Sequence, residues 1–189
     1  MRELQYENQL RSIFNNVNDW LKFAEAKNFG LLTISAAFIF GLTQINFSED
    51  SKVGSAAYSV FIPFAVLSIL VCFISLFPIL TTVTRLEWAK SWINRFSNFI
   101  DEEKKFENIH FYGYLKDIDE ETFERQFLQK INITQPFTVY EKELISQIIY
   151  NSRIAWLKYQ LFKIAAFIFS LGLIASLILY MILLVISRF

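Results

Sequence analysis

The chain has 189 residues, of which 54% are hydrophobic and 19% are charged. Its 18 basic and 18 acidic side chains cancel at neutral pH, so no net field attracts nucleic acid, and we expect no nucleic-acid partner. The single cysteine, Cys72, excludes a disulfide within the chain and lies in an apolar run where packing is its expected role.

Residues 1–28 predict a cytoplasmic amphipathic helix. Apolar side chains recur at helical spacing from Tyr6 to Ala24, with charged and amide side chains between them. The segment lacks the basic start and short apolar core of a secretory signal, so we expect no cleaved signal peptide. The helix is expected to continue through Lys27 into the membrane.

Three apolar blocks are each long enough to cross a bilayer core, which takes roughly 20 helical residues. The predicted transmembrane helices are residues 29–47, 58–83 and 161–187, with a short outer loop at 48–57. Pro63 and Pro78 lie in the second block, and Pro78 is expected to bend that helix. No Asp, Glu, Lys, Arg or His lies deep in any block, which argues against a proton relay or an ion-coupled transporter.

Small or hydroxyl-bearing side chains form one face on each span. They are Gly30, Ala37 and Gly41 in the first span, Ser68, Cys72 and Ser75 in the second, and Gly172 and Ser176 in the third. Such faces let helices approach closely, and the seam on the second span is expected to face the Gly41 row or the similar face on the third. Because three helices cannot enclose a sizeable pore, we expect pore formation to require a homo-oligomer.

The distribution of Lys and Arg predicts the orientation. The N-terminal segment has four, the loop after the first span has one, residues 84–163 have twelve, and the C-terminal tail has one. Short segments rich in these residues stay on the cytoplasmic side. The N-terminus and the central segment are therefore predicted to be cytoplasmic, and the C-terminus to lie outside.

Residues 84–160 form a predicted cytoplasmic module that is mainly helical. Amphipathic helices are expected from the second span to about Lys105, and from Leu144 into the third span. Between them, the alternating segment Phe106–Leu115 favours a short strand or an ordered loop. Asp119 is the predicted N-cap of a helix that ends near Lys130. The predicted fold class is an all-α membrane protein whose three transmembrane helices extend into a small cytoplasmic helical module.

Residue types that catalysis or metal binding requires are sparse. One histidine, His110, and one cysteine cannot assemble a metal site, so we expect no metal, and His110 is expected to be a half-buried structural residue. The five glycines are scattered, which excludes a phosphate-binding glycine loop. The acidic runs at 101–103 and 117–124 lie beside lysines and are typical of solvated surfaces. We therefore expect neither an enzyme nor a cofactor.

Polar and aromatic residues near the cytoplasmic ends of the spans favour binding. Cations there either anchor to lipid headgroups or hold a phosphate while an aromatic ring stacks on a base. The candidate ligand-binding residues are Glu25, Lys27, Asn28, Asn108, Phe111, Tyr112 and Lys158. This combination suits a small nucleotide.

Three stretches together resemble the transmembrane effector family of the Pycsar bacterial anti-phage systems. They are NDWLKFAEAKNFGLL (18–32), ENIHFYGYLKDIDEETFERQF (107–127) and LISQIIYNSRIAWLKYQLFKIAAF (144–167). Tyr112 stands where phenylalanine is usual in the family, and Gln147 stands where an acid is usual. The residues that match the family pattern are Glu25, Lys27, Asn108, Phe111, Gly113, Lys158 and Tyr159.

The resemblance implies that a neighbouring pyrimidine cyclase makes cyclic CMP or cyclic UMP on infection and that this ligand activates the membrane protein. The activated protein is then expected to impair the bacterial inner membrane and halt the infected cell. The lipid bilayer, a small cyclic nucleotide and further copies of the chain are the expected partners. A membrane-anchored scaffold protein and a channel subunit that no nucleotide gates are the alternatives.

Overall fold

A computed structural model describes residues 2–44, 52–76, 107–132 and 136–187, and the regular secondary structure in these ranges is entirely α-helical. The helices in these ranges are α1 (Arg2–Thr43), α2 (Lys52–Leu76), α3 (Tyr112–Leu115), α4 (Glu120–Ile131) and α5 (Val139–Ile186). Helices α1, α2 and α5 are long and apolar enough to cross a membrane. The predicted fold class is confirmed.

Two predictions for the middle of the chain concern residues outside the described ranges. They are the bend at Pro78 and the amphipathic helix before Lys105. Helix α2 begins at Lys52, ahead of the apolar block that starts at Tyr58, so helical structure starts before the predicted span does. Pro63 lies inside this helix, where its ring removes one backbone hydrogen bond.

Helices α1 and α5 have 42 and 48 residues. Each is about twice as long as a bilayer core requires, so each extends well beyond its apolar block, as predicted. A reciprocal capping box starts α5: the Thr138 N–H donates to Glu141 Oε2 over 2.6 Å, and the Glu141 N–H donates to Thr138 Oγ1 over 3.4 Å. This cap satisfies backbone donors that the first turn leaves without helical partners.

The chain divides into two compact units, and α1 and α5 contribute to both. The first unit comprises Met1–Glu25 and Ile79–Gln160, and the second comprises Ala26–Pro78 and Leu161–Phe189.

The first unit has an apolar core built from the N-terminal part of α1, helix α4 and the start of α5. Its members are all buried: Leu10, Ile13, Val17, Ile109, Leu115, Phe123, Phe127, Phe137, Leu144, Ile145, Ile148 and Ile149. The Phe123 and Phe127 rings stack with centroids 5.9 Å apart. Helix α4 begins as predicted, because Asp119 caps it by accepting a hydrogen bond from the Thr122 N–H over 2.7 Å.

The second unit packs α2 against the C-terminal part of α5. Phe61, Ala65 and Phe169 form its buried cluster, with the Phe61 and Phe169 ring centroids 5.6 Å apart. Ser68 Oγ donates to the Ala165 carbonyl over 2.9 Å. A Cβ on Gly172 would collide with the Cβ and Cγ of Phe64, so the glycine permits this close approach.

The small-residue faces have different surroundings within one chain. A Cβ on Gly30 or Gly41 would meet no atom within 4 Å, and Ala37 is exposed. Ser68, Cys72 and Ser75 are fully buried. The seam on α2 therefore does not pack against Gly41; at Ser68 it meets α5. Ser176 donates to the Leu173 carbonyl of its own helix.

Candidate functional site

Two of the predicted ligand-binding residues, Glu25 and Lys158, meet in the first unit. Lys158 Nζ lies 2.7 Å from Glu25 Oε1. The lysine side chain is 5% exposed, whereas the glutamate side chain is 48% exposed. The carboxylate therefore neutralises a buried ammonium that would otherwise carry a large desolvation cost.

A second polar pair lies one heptad before this ion pair. Asn151 Nδ2 donates to Asn18 Oδ1 over 2.8 Å. The two pairs share the same sequence separation, 133 residues, so α1 and α5 run parallel with a constant register here. Buried polar pairs at heptad spacing fix the register of packed helices, and Asn18 and Asn151 were not among the predicted site residues.

Aromatic side chains from three segments form a cluster beside the helix pair. We call Trp20, Phe23, Phe111, Tyr112 and Tyr159 the aromatic cluster. Tyr112 and Tyr159 are stacked, with centroids 5.1 Å apart and an interplanar angle of 15°. The Trp20 centroid lies 5.4 Å from that of Tyr112, and the Phe111 centroid lies 4.9 Å from it. Tyr112 thus joins the segment that carries it to both long helices, through Trp20 on α1 and Tyr159 on α5.

The segment that carries Phe111 and Tyr112 is an ordered loop followed by one helical turn, so the loop alternative is confirmed over the strand. The Phe111 N–H donates to the Asn108 carbonyl over 2.9 Å, and Asn108 Oδ1 accepts from the His110 N–H over 2.9 Å. A Cβ on Gly113 would collide with the Phe111 ring. Asn108 therefore shapes the turn, and Gly113 leaves room for the ring.

His110 differs from its prediction. The residue is exposed and not half-buried, because its main chain is held while its side chain is free to point outward. Asn16 Nδ2 on α1 donates to the His110 carbonyl over 2.7 Å. The backbone of this loop is therefore attached to α1, and the imidazole is left available at the surface.

The aromatic cluster is largely closed on itself. Tyr159 already occupies the face of Tyr112 on which a nucleobase would stack, and Glu25 already neutralises Lys158. Phe111 and Phe23 remain 37% and 49% exposed. A base can stack there only on these outer rings, or by displacing a ring of the cluster.

The other two predicted residues, Lys27 and Asn28, belong to the second unit. Lys27 Nζ lies 5.4 Å from the centroid of the Phe162 ring, within the range of a cation–π interaction. Asn28 is fully buried. The groups that the structure brings together from the predicted set are thus Glu25 with Lys158, and Phe111 with Tyr112.

Sequence reasoning missed Trp20, Phe23 and Tyr159 as members of this cluster. Trp20 lies in the apolar pattern from Tyr6 to Ala24, and Tyr159 lies in the amphipathic helix that begins at Leu144, so their spacing predicts helix packing and not a shared cluster. Their one distinguishing signal was composition, because a Trp and a Phe three residues apart on α1 bring two large rings onto one helical face. Among the described residues, no group of His, Cys, Asp and Glu could hold a metal ion.

Comparison with known proteins identifies the family. The family model described as the Pycsar effector protein domain matches residues 9–187, which is nearly the whole chain. Searches of curated proteins and of solved structures find no significant match. The chain therefore belongs to the Pycsar effector family, and its role is that of a membrane effector of anti-phage defence.

Proposed function

We propose that cyclic CMP or cyclic UMP activates this protein and that the activated protein impairs the integrity of the inner membrane, which stops phage replication by halting the infected cell. The observation that carries the proposal is the family match over residues 9–187. We propose that the module binds a ligand and does not catalyse a reaction. The nucleotide is the only activating ligand that we propose.

The continuity of α1 and α5 supports a route from ligand to membrane. Each helix carries residues of the first unit's core and then an apolar segment long enough to span a bilayer. A ligand that prefers one packing of the module would shift the population of helix arrangements by no more than its differential affinity for the two. A shift from 1% to 99% occupancy would require a preference of about 10⁴-fold.

We further propose that the active form is a homo-oligomer with cytoplasmic module and external C-terminus. The support for self-association is the face of α1 that carries Gly30, Ala37 and Gly41, which meets no neighbour at its glycines within the described chain. In lipid, close packing between such faces is a main source of helix association. The support for the orientation is the excess of Lys and Arg in residues 84–163.

Two measurements on the full-length protein test the function. Calorimetric titration in detergent with cyclic UMP and cyclic CMP should show saturable binding of at least one, with cyclic AMP and cyclic GMP as controls. The same nucleotide should then release a trapped dye from liposomes that contain the protein. Binding without leakage would favour the scaffold alternative, and leakage without nucleotide would favour the channel alternative. No binding by protein of native helicity would refute the proposal.

A further inference from the structure

Two of the cavities that described residues of the first unit line differ in the charges of their lining side chains. The larger, about 650 Å³, lies where the start of α4 faces α5. Three carboxylates and one guanidinium line it: Asp119, Glu120, Glu121 and Arg153. The guanidinium is engaged, since Arg153 Nε and Nη2 donate to main-chain carbonyls over 3.2 and 3.4 Å. An anionic ligand would meet net negative charge there.

The smaller cavity, about 270 Å³, lies where α1, α4 and the loop before α3 meet. Its floor is apolar and includes Ile13 and Phe127, which are each 1% exposed. Its rim is polar and includes Gln9, Ser12 and Lys130. Each helix contributes residues at i, i+3 and i+4, so one face of each helix borders the cavity.

The rim of the smaller cavity is suited to an anion. Lys130 and His110 lie on it, and none of the described residues that line the cavity is acidic. Within the described ranges, neither side chain is engaged in a hydrogen bond or an ion pair. An ammonium without a carboxylate partner and an imidazole N–H are the donors that a phosphate group accepts from.

The remaining polar residues on the rim, Gln9 and Ser12, carry uncharged hydrogen-bonding groups. Gln9 carries an amide with both donor and acceptor atoms, and Ser12 carries a hydroxyl. Both are exposed on α1, across the cavity from α4. The His110 main chain is held in place from two sides, by Asn108 and by Asn16. The loop that carries His110 is therefore already ordered and need not fold on binding.

We infer that this smaller cavity is a binding site for a small phosphate-bearing ligand with a single-ring base, in which Lys130 and His110 hold the phosphate and Gln9 meets the edge of the base. Its volume lies just under the roughly 300–1,000 Å³ typical of small-molecule sites, which favours a pyrimidine nucleotide over the larger purine ones. The assignment of cyclic CMP or cyclic UMP as that ligand rests on the proposed function.

This location also connects the ligand to the membrane helix. A nucleotide in the cavity would contact α1 at Gln9 and Ser12 and contact α4 at Lys130. Helix α1 continues without interruption to Thr43. A ligand that bridges α1 and α4 changes the free energy of their packing directly, which is the differential affinity that population shift requires.

The test compares three variants of the full-length chain by calorimetric titration with cyclic UMP and cyclic CMP. Lys130→Gln removes the proposed phosphate contact and should weaken binding about ten- to a hundredfold, as expected for a lost charge-assisted hydrogen bond. Ser12→Trp fills the cavity and should abolish binding. Arg125→Gln removes one positive charge from the same helix outside the cavity and should change affinity less than about twofold.

The outcomes separate this inference from the function on which it rests. If the wild-type chain binds a nucleotide and the Lys130 and Ser12 variants bind it equally well, the cavity is not the site and the proposed function stands. If the wild-type chain binds neither nucleotide, the proposed function fails and this ligand assignment fails with it. Far-ultraviolet circular dichroism of each variant checks that helicity is retained. A loss of binding by Lys130→Gln together with unchanged binding by Arg125→Gln supports the site.

Discussion

The close approach of α5 to α2 at Gly172 predicts an unequal response to the same substitution at two glycines. A Cβ at Gly172 collides with the Cβ and Cγ of Phe64. The backbone fixes the position of the Phe64 Cβ, so no change of rotamer removes the collision and the helices must move apart. A Cβ at Gly30, which also lies inside a helix, meets nothing within 4 Å.

The magnitude follows from two terms. Replacing a glycine by alanine inside a helix gains about 0.5–1 kcal/mol through backbone entropy, and this gain applies to both sites. Overpacking costs about 1–3 kcal/mol and applies only to Gly172. We therefore expect Gly30→Ala to be mildly stabilising, and Gly172→Ala to be less stable than Gly30→Ala by about 1–3 kcal/mol.

The assay is thermal unfolding in detergent, followed by far-ultraviolet circular dichroism at a protein concentration where the chain is monomeric. Oligomer contacts at Gly30 then do not contribute. Equal effects of the two substitutions, within about 0.5 kcal/mol, would show that α2 and α5 do not approach as closely as described, and would refute the reasoning.

Three further predictions concern the Glu25–Lys158 ion pair, the cap of α4, and the two lysines predicted to bind ligand. Glu25→Gln should lower the free energy of unfolding by about 1–2 kcal/mol, because the buried Lys158 ammonium loses its carboxylate. Lys158→Met should lower it less. Equal thermal stability of wild type and Glu25→Gln would contradict this. The hydrogen bond from Thr122 lowers the pKa of Asp119 below its ordinary value of 3.8. The stabilisation by the ionised cap is therefore fully present above this ordinary pKa and is lost as pH falls through the lowered pKa. Asp119→Asn should lack this acid-dependent loss in thermal melts, and an identical acid response would exclude the cap as its source. The double variant Lys27→Ala, Lys158→Ala tests the ligand prediction for these lysines by titration, and unchanged nucleotide affinity would remove both from the site.

Local features were predictable from the sequence because their causes are local. The cap of α4 needs only Asp119 and the Thr122 N–H three residues later, and both are visible in the pattern of a helix start. The three long apolar helices follow from composition and length. Such predictions require no knowledge of which segments meet.

Contacts between distant segments were not predictable in this way. The seam on α2 was expected beside either the Gly41 row or the third span, and the hydrogen bond from Ser68 to the Ala165 carbonyl, 97 residues away, decides for the third span. Periodicity shows which face of a helix is small, but not which helix will cover it. The aromatic cluster has the same origin, since Trp20, Tyr112 and Tyr159 come from three separate parts of the chain.

His110 illustrates a different limit. Alternation of polar and apolar residues suggested a half-buried side chain. Instead, the His110 N–H donates to Asn108 Oδ1 and the His110 carbonyl accepts from Asn16 Nδ2, and these bonds hold the backbone while the imidazole is exposed. A period-two pattern carries information on side-chain direction only in a strand. In a turn, the direction of each side chain depends on the backbone conformation, which hydrogen bonds to the main chain hold in place.

The constant register between α1 and α5 has a consequence for how the protein is made. Asn18 and Glu25 leave the ribosome early, whereas Asn151 and Lys158 follow 133 residues later. At about 5–20 residues per second, synthesis of these 133 residues takes roughly 7–27 seconds, and the apolar stripe of α1 waits that long for its partner helix. A chain interrupted before α5 has no means of completing the module's core. The core of the first unit is therefore completed only after the start of α5 has been synthesised.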